Sequence, residues 1–147
     1  MKLHDRFING FIAGAFAGII LDLLNYLSYK LNITEITYWE WASVLIYGYR
    51  TEITFEIILA LVMQIFFAGI VGIVFAYLIK YVTSNYLLTK GVIYSLFVWF
   101  SANAITYMYD VSPLSPIKGD TVISNLITVS IYGIVLAMLI KRLESEH

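Results

Sequence analysis

Apolar residues in this chain come in long unbroken blocks instead of alternating or recurring on one helical face. Four blocks stand out, at 7–29, 55–79, 91–108 and 121–140. Crossing about 30 Å of hydrocarbon takes about 20 helical residues, so each block has close to the length of a membrane span. Backbone groups in lipid must be paired within their own segment, which leaves helix as the only assignment for isolated blocks. The pattern therefore predicts an all-α membrane protein, a single integral domain over 1–147 with four transmembrane helices. Lys2 and Arg6 precede the first block, but the apolar run is too long for a signal peptide, contains Asp22, and meets no clean small-residue cleavage site. It is expected to be a retained first helix.

The connections differ in kind. Residues 81–90 are short and polar, whereas 109–120 contain both prolines, Pro113 and Pro116, and are expected to be irregular. The first connection is the longest and carries ITYWEWASVLIYGY at 36–49. This piece is too short to span and is crowded with rings that favour the headgroup level. It is predicted to be a short amphipathic interfacial helix with Trp39, Trp41 and Tyr47 as anchors; a lid over a site is the alternative. Orientation follows from the basic residues. Lys2, Arg6, Lys80, Lys90, Lys141 and Arg142 fall on one side, and Lys30, Arg50 and Lys118 on the other. This bias predicts both termini in the cytoplasm of a multi-pass protein of a bacterial inner or plasma membrane.

An internal repeat is visible. GIVFAYLIK at 72–80 and GIVLAMLIK at 133–141 agree at seven of nine positions, at an offset of 61. The first and third blocks match more weakly at an offset of 81, with Gly10 on Gly91, Asp22 on Asn103 and Tyr26 on Tyr107. The expected arrangement is two helical hairpins in parallel repeat, with the aromatic segment inserted in the first.

Each block also carries a stripe at a spacing of four, which places its members on one helix face. The stripes are Gly10, Gly14, Gly18 and Asp22; Gln64, Ala68, Gly72 and Ala76; Gly91, Ser95, Trp99 and Asn103; and Asn125, Val129, Gly133 and Ala137. Small residues let helices approach closely in lipid. One polar residue per block, Asp22, Gln64, Asn103 and Asn125, is thus expected at one level inside the bundle, with Asn25 a turn further out. Glu56 begins the second block and can approach Asp22. A carboxylate near mid-membrane costs about 2.5–3.5 kcal/mol on insertion scales and needs amide partners, water or a proton. Two readings stay open: a hydrogen-bonded plug that sets helix register, or a site for an ion, a proton or a small polar ligand.

Composition narrows the chemistry further. The chain is 61% hydrophobic and 13% charged, with a mean hydropathy of +0.83; a soluble domain averages about 25% charged. A net charge of −1 gives no reason to expect nucleic acid, and with no cysteine there is no thiolate site. The two histidines, His4 and His147, sit at the extreme ends, so no metal site is expected within the membrane, nor any cofactor. Nucleophile elbows, zinc motifs and phosphate loops are absent, and an enzyme is not expected. Through WASVLIYG at 41–48 and SNLI at 124–127, the chain resembles small four-span bacterial membrane proteins that carry no assigned activity. The resemblance implies a class and no function. Two roles are expected to compete. One is a binding or conducting role at the polar layer, for which four helices alone enclose little room, so that a homo-oligomer would be needed. The other is a scaffold or accessory subunit of a membrane complex. The bilayer is the expected partner in both.

Overall fold

The computed structural model describes residues 3–82 and 85–145, with side chains from Arg6 onward. Lys2, His147 and the side chain of His4 lie outside the described residues. Five helices follow in order: α1 (Leu3–Lys30), α2 (Tyr38–Tyr47), α3 (Thr54–Tyr81), α4 (Leu87–Met108) and α5 (Gly119–Ser145), with a short 3-10 turn at Ser112–Leu114 between the last two. All of them except α2 are long and apolar enough to cross a membrane.

The helices overrun the apolar blocks. α4 starts four residues before Gly91, and α5 runs five beyond Ile140. Hydropathy marks where lipid ends, whereas a helix continues until its backbone is stopped. At the start of α4 the break is Tyr86, whose positive φ of 59° ends regular structure. The polar extension of α5 holds Glu144, which pairs with Arg6 of α1 at 3.1 Å.

α2 is two residues shorter at each end than 36–49, and its ends are well defined. Thr37 and Glu40 form a reciprocal capping box at its N-terminus, and Gly48 closes the C-terminus in the left-handed region at φ 81°. The helix packs against α3 and buries Ala42, Ser43 and Val44.

The four long helices form two antiparallel pairs, α1 with α3 and α4 with α5, joined chiefly through α1 against α5. Glycine makes the pairs close. A Cβ on Gly72 would fall on the Gly10 carbonyl oxygen, and one on Gly133 would fall on the Gly91 carbonyl oxygen. Backbone therefore touches backbone in both pairs, which suits lipid, where helix association relies on packing and polar contacts. Ala13 and Ala17 of α1 are wholly buried beside Leu136 and Ala137 in the common core. α4 is the most exposed of the four, with Phe97 and Phe100 each 67% accessible.

α3 and α4 barely touch. Toward the end bearing the termini they are tied by the Tyr94 hydroxyl, which donates to the Val71 carbonyl at 2.8 Å, and by the Phe75 and Tyr94 rings at 5.0 Å. Beyond that contact the two helices part. At the opposite end the connections lock together: Arg50 donates to the Pro113 carbonyl, Lys118 pairs with Glu35, and the Glu35 amide donates to Thr121.

Candidate functional site

Two adjoining polar features occupy the half of the bundle nearer α2. The first is a sealed cluster between α1, α2 and α5. Asp22 is 6% exposed, and both of its carboxylate oxygens are buried with no hydrogen-bond partner. One turn along α1, Asn25 is 1% exposed and does two jobs. Its Oδ1 accepts from the Tyr38 amide at 3.0 Å, satisfying one of the orphan donors in the first turn of α2. Its Nδ2 reaches Asn125 Oδ1 on α5 at 3.5 Å, the outer limit of a hydrogen bond. The hydroxyl of Tyr38 turns into the same region, buried and unpartnered, with Thr128 and Asp22 as its polar neighbours. Burial holds this phenol well above its usual range.

The second feature is a cavity of about 100 Å³ where α3 and α4 part. Gln64, Asn103 and Asn125 line it, together with apolar side chains such as Val71, Val98 and Trp99. Tyr38 and Trp41 of α2 cover its end, with Ile36 and Ile117 from the connections. Leu21 of α1 contributes to the wall, so Asp22 sits directly behind the lining.

The polar layer expected from the sequence is therefore assembled, but in two compartments. Asp22 and Asn25 are sealed behind, Gln64 and Asn103 face the cavity, and Asn125 belongs to both. Asn103 does not reach another helix, because its Nδ2 donates to the Trp99 carbonyl of its own helix at 2.9 Å. Glu56 stands apart, engaged with the Tyr49 hydroxyl at 3.1 Å and with Thr51. As an ionic acceptor it holds the Tyr49 phenol above the usual range. The aromatic segment is also more involved in the protein than simple anchoring requires. Trp41 lines the cavity, Trp39 packs on Tyr26 with ring centres 5.5 Å apart, and the Tyr47 hydroxyl is buried without a partner. The small residues lie at helix contacts: Gly10, Gly14 and Gly18 face Ala68, Gly72 and Ala76, while Gly91 faces Gly133 and Ala137.

Sequence reasoning missed Tyr38 and Thr128 as members of the cluster. Tyr38 was visible only as one ring in an aromatic run. Thr128 lies three residues after Asn125 on α5, a spacing that keeps both on one face and was available as a signal. Among the described residues no group of three or more His, Asp or Glu side chains is placed to hold a metal ion. Compared with known families, curated proteins and solved structures, the chain matches none.

Proposed function

We propose that this chain is a non-enzymatic, multi-pass membrane protein whose sealed cluster binds a proton or a small monovalent cation at Asp22. The observation that carries this reading is the pair of Asp22 oxygens, shut away from solvent and left without hydrogen bonds. An ionised carboxylate in such a place is costly unless a positive charge neutralises it. Lys30, the basic residue nearest to Asp22 along α1, holds its ammonium over the Tyr26 ring at 5.4 Å, and Arg6, four turns away in the other direction, is engaged with Glu144 and the Ala76 carbonyl. The neutralising charge must therefore arrive from outside the protein. Tyr38 and Thr128 supply hydroxyl oxygens beside it.

Both termini face the cytoplasm in this reading, as the six-to-three division of Lys and Arg supports. α2 then lies at the outer membrane surface. The two hairpins are related by a parallel repeat. Its support is the contact geometry, in which Gly72 meets Gly10 in one pair as Gly133 meets Gly91 in the other. The α1–α5 contact would have α4–α3 as its counterpart, and the cavity lies where that counterpart is open.

Dicyclohexylcarbodiimide, which modifies protonated carboxyls in apolar surroundings, tests the site directly. Mass spectrometry of the protein in phosphatidylcholine nanodiscs should find Asp22 modified, with sodium or potassium ions protecting it. An Asp22 that stays unmodified across the pH range, or one modified without regard to pH and cation, removes the reading. Proton and cation flux in liposomes, compared with Asp22→Asn, then separates passage from binding alone.

A further inference from the structure

The cavity between α3 and α4 carries a separate conclusion. None of its lining residues is charged, so it differs in kind from the cluster behind it. It is bounded toward the termini by the Tyr94–Val71 hydrogen bond and the Phe75–Tyr94 ring contact. Toward the opposite end it is covered by Trp41, Ile36 and Ile117. Between these limits the two helices leave a window to the side, flanked by Phe67, which is 47% exposed, and by Val98. Gln64 to Val71 covers about 10 Å of helix at 1.5 Å per residue, which puts the window well inside the span of α3. A molecule entering here comes from lipid and not from water.

The polar lining is specific about what it can hold. Asn103 Nδ2 is used on the Trp99 carbonyl, and Asn125 Oδ1 accepts from Asn25. The Ser95 and Tyr132 hydroxyls donate to the Val92 and Ala68 carbonyls, which leaves Asn103 Oδ1 as an acceptor and Asn125 Nδ2 as a donor, with the Gln64 amide and the Tyr38 hydroxyl each offering both. A hydroxyl group or a primary amide answers such a set, because each both donates and accepts. Without lysine, arginine or histidine in the lining, a phosphate head would have no charged donor. The space is confined, about 100 Å³, which suits a small head.

We infer that the cavity is a binding site for the small uncharged head of a bilayer-borne amphiphile, of the class of long-chain alcohols or primary amides, which enters head-first between α3 and α4. Its chain lies along the window against Phe67 and Val98 and continues into lipid.

Photolabelling of the full-length protein in phosphatidylcholine nanodiscs tests this. The probe is a long-chain alcohol with a diazirine beside the hydroxyl; the comparison probes are the matching alkane, carboxylate and ammonium. Read residue by residue, the alcohol should label the cavity wall, at Gln64, Phe67, Val98 or Ala102, and a tenfold excess of unlabelled alcohol should remove most of the label. Losing two hydrogen-bonding amides, in Gln64→Leu/Asn125→Leu, should cut labelling by roughly tenfold. Ala102→Phe, which fills the cavity, should abolish it; thermal unfolding of each variant verifies the fold. Equal and equally competed labelling by the alkane would overturn the inference in favour of a lipid tail. So would preference for a charged probe, or label centred on the exposed Phe97 and Phe100. Carbodiimide modification of Asp22, measured in the same nanodiscs without amphiphile, reports on the cation reading separately, so that either can fail without the other.

Discussion

Asp22 and the inter-helix glycines are the residues on which the molecule most depends, and they pull in opposite directions. Asp22 is a cost: a carboxylate removed from water with no donor in contact. Exchanging it for a neutral isostere removes the buried charge. With the site unloaded, at alkaline pH and without sodium or potassium, Asp22→Asn is therefore expected to raise stability by about 1–3 kcal/mol, measured as resistance to unfolding in mixed micelles of increasing denaturing detergent. Lower stability would show that the carboxylate is a structural tie. The glycines contribute by absence, since a Cβ on Gly72 or Gly133 has only the backbone of the facing helix to meet. Gly72→Val and Gly133→Val should each destabilise by about 1–3 kcal/mol in the same assay. Gly119 is the control: nothing lies near its position at the start of α5, so Gly119→Ala should be neutral or stabilising by up to about 1 kcal/mol. The GxxxG stripe at Gly10, Gly14 and Gly18 was legible because small residues every four positions define a face. The partners of Asp22 were not, because a spacing on one helix says nothing of which side chains arrive from the others.

Among the elements, α2 has the least length and the most defined ends. A helix of this size is unstable alone in water, and it is held by its caps and by packing on α3. Thr37→Ala removes one half of the capping box and should cost about 1 kcal/mol. Hydrogen exchange is the suitable readout, since the amides of residues 38–44 should exchange faster while those of α3 and α5 stay protected. Gly48→Ala should act in the same way from the other end, because its backbone sits at φ 81°, where a side chain is strained. The aromatic run located this element in the sequence but not its inward contacts. Rings favour interfaces in general, but Trp41 and Tyr38 are turned toward the cavity by the contact of α2 with α3.

For the whole molecule the decisive fact is unequal packing between the two hairpins. They meet through α1 and α5 and part between α3 and α4, and the inferred lateral entrance rests on that parting. The natural chain has no cysteine, so a single introduced one reports without background. Ala102→Cys, in the cavity wall, should react with a lipid-soluble maleimide in intact vesicles. It should resist a charged thiosulfonate added to either side. Rapid reaction with the charged reagent would mean an aqueous entrance and would overturn the lateral geometry.

The number of long helices, their approximate limits, the small faces on which they pack and the presence of polar side chains within them all follow from the sequence. The reason is that lipid imposes a length on apolar runs and a pairing rule on the backbone, and both are local. The division of the polar layer into a sealed cluster and an open cavity follows only from the tertiary structure. That division depends on which helices touch and which part, a balance of contacts between segments far apart in the chain. Asp22 and Asn103 occupy corresponding places in the sequence pattern, yet one is shut in behind α2 and the other lines the cavity between α3 and α4.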